Sequence, residues 1–190
     1  MAADFAAARL NMVESQVRTQ DVTDVRLHDA MREIPRETLL PADKAFMAYA
    51  DIDAEYAPGR YLMRPRNVAK LLQALKLEPG ERALAIAAPY AAAVLEHLGL
   101  SVERLDGEDL RAVPPGKFDV VICEGAVDKA PDAWLNALAP TGRLAVVERT
   151  GPVGKAAIYC RAEEGFGRRD LFDATPPVLA GFQPQPGFAF

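Results

Sequence analysis

The segment FDVVIC, residues 118–123, decides the fold. Its side chains are apolar on both faces of an extended chain, which is typical of a central strand in a parallel sheet. Similar short runs occur at 82–88 (RALAIAA), 100–105 (LSVERL) and 143–148 (RLAVVE), and segments of helical character separate them. Strands that alternate with helices indicate βαβ units. We therefore predict an α/β domain built on a mostly parallel sheet.

The segments on either side of this sheet have a different character. Residues 1–40 show helical spacing and predict a helical cap, while 155–161 and 166–172 predict an antiparallel hairpin at one edge of the sheet. We expect one domain over residues 1–190. Its parts would be a helical cap and lid segment (1–64), a sheet core (65–175) and a proline-rich tail (176–190).

Composition narrows the possible classes of protein. Of 190 residues, 50% are hydrophobic and 26% charged, which is ordinary for a globular chain. The net charge is −5 and no long run of Lys or Arg occurs, which argues against nucleic-acid and membrane-surface binding. Cys123 and Cys160 lie in apolar segments without metal-ligand spacing, so we expect buried, reduced thiols and no metal site. Without a leader or a long apolar stretch, the expected location is cytoplasmic.

Several segments, taken in order along the chain, are similar to one enzyme family. They are MVESQVRTQDVTDVRLHDAMREIPRETLLP at 12–41, AYAD at 48–51, LEPGERAL at 77–84, FDVVI at 118–122 and APTGRL at 139–144. These segments resemble the protein-L-isoaspartate O-methyltransferases, in particular a short bacterial branch. The resemblance implies a class I methyltransferase (Rossmann-like) fold. It also implies an enzyme that uses S-adenosylmethionine to esterify the carboxylate of isoaspartate in damaged proteins.

The loop after the first strand departs from the pattern of that family. In the family, an acidic residue and Ile precede Gly-x-Gly-x-Gly and an aromatic residue, and the glycines let the backbone approach the methionine part of the cofactor. Here the acidic position is Ala85, the first glycine position is Ala87, and Pro89 precedes the aromatic Tyr90. Ala87 adds a methyl group and Pro89 removes an N–H. We expect a damaged cofactor pocket; the alternative is a cofactor held by a different loop.

Three further positions bear on the site. By the resemblance, an acid after the second strand binds the ribose hydroxyls, and Glu103 is the first candidate and Asp106 the second, although both could be solvated carboxylates. Glu124 follows the central strand and could line the pocket or cap the next helix. The family's catalytic serine corresponds to Met63, which donates no hydrogen bond. We therefore expect no catalytic residue. The expected vestigial cofactor pocket comprises Ala87, Pro89, Tyr90, Glu103 and Glu124.

The connection between the second and third predicted strands is short. It comprises residues 106–117, where the family has a helix, a further strand and a loop, so we predict that one strand and one helix are missing. A sheet edge that loses its cover exposes backbone and apolar surface. We expect either a second copy of the chain, in a homodimer, or the tail to cover it. The tail offers Phe182, Phe188 and Phe190 for this purpose.

Two functions remain open at this point. The first is a degenerate methyltransferase-like protein, a pseudoenzyme that uses no S-adenosylmethionine or other cofactor and acts as a binding or dimerisation module. The second is an active S-adenosylmethionine-dependent protein-L-isoaspartate (D-aspartate) O-methyltransferase in protein repair, with isoaspartyl proteins or peptides as substrates. A hydrolase is a weaker third interpretation, because no Gly-x-Ser-x-Gly motif occurs.

Overall fold

Helices form the N-terminal part of the computed structural model, which describes residues 4–183. Helix α1 (Phe5–Met12) continues through a π turn and a 3-10 turn, and helix α2 (Val25–Glu33) follows. The side chains of Asp4 and Asp24 cap these helices, since each accepts a hydrogen bond from a first-turn N–H. The predicted helical cap is confirmed. No helix within the described residues has both the length and the apolar character needed to cross a membrane.

A short hairpin and a third helix lead into the sheet. Strands β1 (Ala54–Ala57) and β2 (Arg60–Leu62) pair antiparallel, and we call residues 54–62 the lid hairpin. Helix α3 (Pro65–Ala74) begins with a proline, whose missing N–H and fixed φ suit the first helical position. The stripe of α3 that packs on the sheet is fully buried. It includes Val68, Leu71 and Leu72.

Six strands form the central sheet. They are β3 (Arg82–Ile86), β4 (Ser101–Leu105), β5 (Phe118–Val127), β6 (Leu138–Glu148), β7 (Gly154–Arg161) and β8 (Phe166–Ala174). Their spatial order is β4-β3-β5-β6-β7-β8. Strands β3 to β6 run parallel to one another. Strand β7 pairs antiparallel with both β6 and β8. The predicted α/β fold, with a mostly parallel sheet and an antiparallel edge hairpin, is confirmed. Strand β6 begins at Leu138, before the predicted strand at 143–148, because residues 139–142 form an irregularity within the strand and do not interrupt it.

Helices or connecting segments pack on both faces of the sheet. Helix α3, helix α4 (Pro89–His97) and the N-terminal helices pack on one face. Helix α5 (Asp132–Asn136), side chains from the connection 106–117 and part of the tail pack on the other. The connection 106–117 contains no helix or strand, which leaves β4 at the edge of the sheet, as predicted from its length.

The start of the proline-rich tail packs against the second face of the sheet. We call residues 176–183 the tail strip. Its backbone forms two hydrogen bonds to Ala126 at the end of β5, of 2.9 and 2.8 Å. Leu179 and Phe182 are buried, and the ring of Phe182 lies 5.5 Å from that of Trp134. Phe182 thus packs on the body of the domain. The predicted roles of Phe188 and Phe190 fall outside the described residues.

The two cysteines differ in burial. Cys123 is buried in β5, and burial raises the pKa of its thiol well above the usual range. Cys160 is exposed, so the prediction of two buried thiols is wrong for this residue. The apolar run around Cys160 is a strand whose end lies in an open groove beside the C-terminal end of α3. Cys160 is exposed because no element covers this end of β7, and the sequence does not reveal that gap.

Candidate functional site

The loop after β3 keeps a glycine-like backbone turn but carries side chains within it. Ala87 has φ +45°, in the left-handed region that favours glycine. Ala87 and Ala88 are both buried, and the Ala87 N–H donates to the carbonyl of Leu105 at 2.9 Å. Pro89 then begins α4 without an N–H of its own. Of the three backbone positions 87–89, one N–H is thus already bonded and one is absent.

The N-terminus of α4 is occupied by a carboxylate of the chain itself. In open α/β sheets, the helix N-terminus after the first strand is where anionic groups of ligands bind. Here the buried Glu124, from β5, accepts a hydrogen bond from the Ala91 N–H at 2.7 Å through Oε1. Its Oε2 accepts from the Met63 N–H at 2.9 Å. Glu124 therefore ties the lid segment to the helix and fills the anion position between them.

A buried arginine accompanies this carboxylate. Arg36 is fully buried, donates from Nε to the carbonyl of Ala48 at 2.8 Å and donates from Nη2 to the carbonyl of Met63. Its guanidinium lies 4.6 Å from the ring centre of Tyr90. Burial raises the pKa of Glu124 to about 6, and the charge of Arg36 opposes that shift. These hydrogen bonds and the attraction between the two opposite charges join the cap, the lid segment and the sheet. Among the described residues, Arg36 Nη1 and the Tyr90 hydroxyl have no hydrogen-bond partner.

The strand end that would face a ribose is also covered. Asp106 follows β4 directly, and both of its carboxylate oxygens accept from the Tyr56 hydroxyl at 2.9 Å. The Nε of Arg60 lies 3.4 Å from the same carboxylate. Burial and the charge of Asp106 raise the pKa of Tyr56 well above its usual range. The lid hairpin is therefore held closed over this end of the sheet.

Glu103 lies within β4 rather than after it. In the parallel register it faces Leu84 of β3, so it sits in the middle of the paired segment. Its carboxylate accepts from Arg82 Nη2 at 2.6 Å, and both side chains are close to half exposed. Glu103 is thus placed as a solvated ion pair, and Asp106 is the acid at the strand end.

The space that remains for a nucleoside cofactor is small. A cavity of about 40 Å³ lies at the ends of β3 and β4, lined by Ala85, Ala88, Pro89, Arg104 and Asp106. Sites for small molecules usually measure about 300–1,000 Å³. The cavity is therefore smaller than a nucleoside cofactor requires. The Ala91 N–H in the first turn of α4 already has an acceptor in Glu124.

The position that corresponds to the family's serine is closed as well. Met63 is fully buried, and its N–H is already bonded to a carboxylate. The neighbouring Arg64 and Arg66 are paired with Asp53 and Asp51, at 3.2 and 3.1 Å. Across residues 4–183, no cluster of His, Cys, Asp or Glu side chains could hold a metal ion. This segment therefore offers no serine hydroxyl, and the two neighbouring guanidinium groups are paired with carboxylates.

Sequence reasoning missed the partners that close the site. Arg36 lies inside the 12–41 segment that carries the family resemblance, but one arginine after a proline gives no signal of burial. Tyr56 and Arg60 lie in a stretch without periodicity, so their contact with Asp106 depends wholly on the hairpin that the structure reveals. The sequence did offer one signal for this hairpin, because the Pro58-Gly59 turn lies between aromatic residues, as in many hairpins.

Comparisons with known proteins point to one family. The family model "Protein-L-isoaspartate(D-aspartate) O-methyltransferase (PCMT)" matches residues 8–107, just over half of the chain. The chain is 31% identical to the protein-L-isoaspartate O-methyltransferase of Methylorubrum extorquens (strain PA1), over 94% of this chain and 91% of that protein. It is 32% identical to the corresponding protein of Methylorubrum populi, over 92% of this chain and 96% of that one.

Two solved structures share the fold. A protein-L-isoaspartate O-methyltransferase superposes with a TM-score of 0.71 at 18% identity, covering 92% of this chain and 67% of that one. A Plasmodium falciparum protein, described as a putative protein-L-isoaspartate O-methyltransferase in complex with S-adenosyl-L-homocysteine, gives 0.72 at 15% identity, covering 90% and 97%. At these identities the likeness concerns the fold, and the chemistry of the site has to be judged from the residues above.

Proposed function

Because the chain belongs to the protein-L-isoaspartate O-methyltransferase family, we propose that it is a non-catalytic member of that family. It does not use S-adenosylmethionine, and it acts as a binding or dimerisation module. The observation that carries this proposal is Glu124, whose carboxylate accepts from the Ala91 N–H at 2.7 Å at the N-terminus of α4. A cofactor carboxylate would have to displace it from a fully buried position next to Arg36.

Independent features of the site support the same proposal. Ala87 keeps the positive φ of a glycine position but adds a buried methyl group. The cavity beside it measures about 40 Å³. Met63 provides no hydroxyl where the family has its serine. Each feature removes a different element of the site, so no single compensating change restores the pocket.

The second candidate is an active isoaspartate methyltransferase. Ancestry favours it, since relatives that carry this name are 31% and 32% identical over more than nine-tenths of the chain. In that case S-adenosylmethionine would be the methyl donor and isoaspartyl proteins or peptides the substrates. It would require the lid hairpin to open and Glu124 to leave the helix terminus.

We expect no methyl transfer by this protein. The assay incubates it with S-adenosylmethionine carrying a labelled methyl group and an isoaspartyl peptide, with the matched aspartyl peptide as the blank. The Methylorubrum extorquens relative serves as the positive control under the same conditions. Label in the isoaspartyl peptide at the level of the blank supports the proposal, whereas several turnovers per molecule would establish the second candidate.

The surface for dimerisation is proposed to be the outer edge of β4. Within the described residues, no further strand pairs with this edge. An unpaired edge invites a strand of another chain unless something covers it. We expect light scattering to give the mass of a dimer. A monomer at all concentrations tested would remove the dimer from the proposal and leave binding to other proteins.

A further inference from the structure

A groove runs along the face of the sheet that carries α3, between this helix and the edge strand β8. Three adjoining cavities form it, of about 310, 320 and 360 Å³. The first and second share Lys70 and Phe172, and the second and third share Ala74, Lys76 and Arg169. We call this continuous surface the α3–β8 groove. It lies apart from the closed site at the end of β3, so a ligand of the groove can bind whether or not the chain binds a cofactor.

The floor of the groove is apolar. Side chains of α3 and of both hairpin strands form it, namely Ala74, Leu75, Ile158, Leu171 and Phe172. Cys160 opens into the same groove, which accounts for its exposure. An open apolar floor beside an edge strand is a common setting for an extended peptide.

The walls of the groove carry unpaired positive charge. Within residues 4–183, none of Lys70, Lys76 and Arg169 forms an ion pair, although most other arginines do. Lys70 instead lies 4.5 Å from the centre of the Phe172 ring. Asp21 is the acidic side chain in the middle section, so three cations face one carboxylate there. The chain as a whole has a net charge of −5, so the local excess of positive charge in the groove is opposite in sign to the overall charge.

The cations come from separate parts of the chain. Lys70 and Lys76 belong to α3 and its C-terminal end, whereas Arg169 belongs to β8. Ile158 and Arg169 are directly paired across β7 and β8, which places Arg169 on the same face of the sheet as α3. The absence of a run of Lys or Arg in the sequence is therefore compatible with a cationic groove.

We propose that the α3–β8 groove binds an acidic peptide segment of a partner protein, with aliphatic residues between its carboxylates. The carboxylates would pair with Lys70, Lys76 and Arg169, and the aliphatic side chains would lie on the floor. Helix α3 has 10 residues and is about 15 Å long. An extended chain advances about 3.3 Å per residue, so the groove accommodates about four or five residues.

Other occupants are less compatible with this surface. Single-stranded nucleic acid needs aromatic faces for base stacking, and the one aromatic ring on the floor, Phe172, is covered by Lys70. Residues 184–190 of this chain contain no Asp or Glu, so they lack the side-chain carboxylates that the groove calls for. A second copy offers acidic segments, and this occupant is separated from a partner protein by the experiment below.

The test is a fluorescence anisotropy titration of the full chain with a labelled peptide of alternating Glu and Leu. The matched probe replaces each Glu by Gln. We expect saturable binding of the Glu peptide only, weakened by added salt because the attraction is ionic. The combined variant Lys70→Glu, Lys76→Glu and Arg169→Glu should weaken binding at least about tenfold. The control variant reverses three exposed cations outside the groove, Arg111, Lys117 and Lys129, and should bind as the unmodified chain does.

Each other result overturns the proposal. Circular dichroism and thermal unfolding establish that both variants are folded before binding is compared. Equal loss in the two variants, or equal binding of the Glu and Gln peptides, would mean that the groove does not recognise acidic segments. Tighter binding of a single-stranded oligonucleotide would assign the groove to nucleic acid. Self-association that the groove variant abolishes, without peptide binding, would assign it to a second copy of the chain.

Discussion

The variant Glu124→Ala is expected to lower the free energy of unfolding by about 3–5 kcal/mol, the usual cost of leaving a buried charge without compensation. The substitution takes away the acceptor for the Met63 and Ala91 N–H groups. It also leaves the fully buried Arg36 without the carboxylate that offsets its charge. Burial already lowers the pKa of Arg36, which means that its charged form is disfavoured. Removal of the nearby negative charge of Glu124 disfavours that form further.

Urea denaturation of the two proteins at neutral pH measures this effect. The matched control is Glu103→Ala, which removes a carboxylate of the same size from a half-exposed pair with Arg82. This control should cost less than about 1 kcal/mol, as exposed ion pairs do. Similar losses for both variants would show that Glu124 is not the centre of a buried network. It would then be free to move away from the helix terminus.

The variant Gly125→Ala is expected to cost about 2–6 kcal/mol, from backbone strain and overpacking together. Gly125 has φ +126°, which side-chain-bearing residues rarely adopt. A Cβ there would lie 2.7 Å from Cδ2 and 2.8 Å from Cγ of Leu179, in the tail strip. We therefore expect the tail strip to detach and to uncover Trp134, the only tryptophan in the chain.

Fluorescence and denaturation together report this change. A red shift of the emission of Trp134 shows the loss of its cover by Phe182, and urea denaturation gives the stability. Gly107→Ala is the matched control, because no atom lies within 4 Å of a Cβ built there and its φ is ordinary. A red shift of equal size in the control, or none in Gly125→Ala, would contradict the packing of the tail strip on β5.

The strands and helices were predictable where one residue pattern decides them. FDVVIC predicts a buried central strand because both faces are apolar, and the structure has it there as part of β5 (Phe118–Val127). The missing elements at 106–117 follow from length alone, since 12 residues leave no room for a helix and a strand. The start of β6 was missed because Pro, Thr and Gly at 140–142 form an irregularity inside a strand, which resembles a turn in the sequence.

For the candidate site, the sequence predicted only the changes that concern single residues in one loop. Replacement of glycine positions by Ala87 and Pro89 can be recognised in the sequence, because the physical effect of each residue type is local. The closing contacts are not local. Glu124 meets the N–H of Met63 from 61 positions away, and Tyr56 meets Asp106 from 50 positions away. Whether a carboxylate lines a pocket or fills it depends on such tertiary contacts.

Calorimetric titration with S-adenosylhomocysteine tests the central claim most directly, because binding requires only the pocket and not the catalytic step. With Glu124 at the terminus of α4 and about 40 Å³ beside it, the expected result is no heat beyond dilution. The Methylorubrum extorquens relative, titrated in parallel, shows that the ligand and conditions are sound. Stoichiometric binding of this chain with a Kd of about 1 μM, or about −8 kcal/mol, would contradict the account.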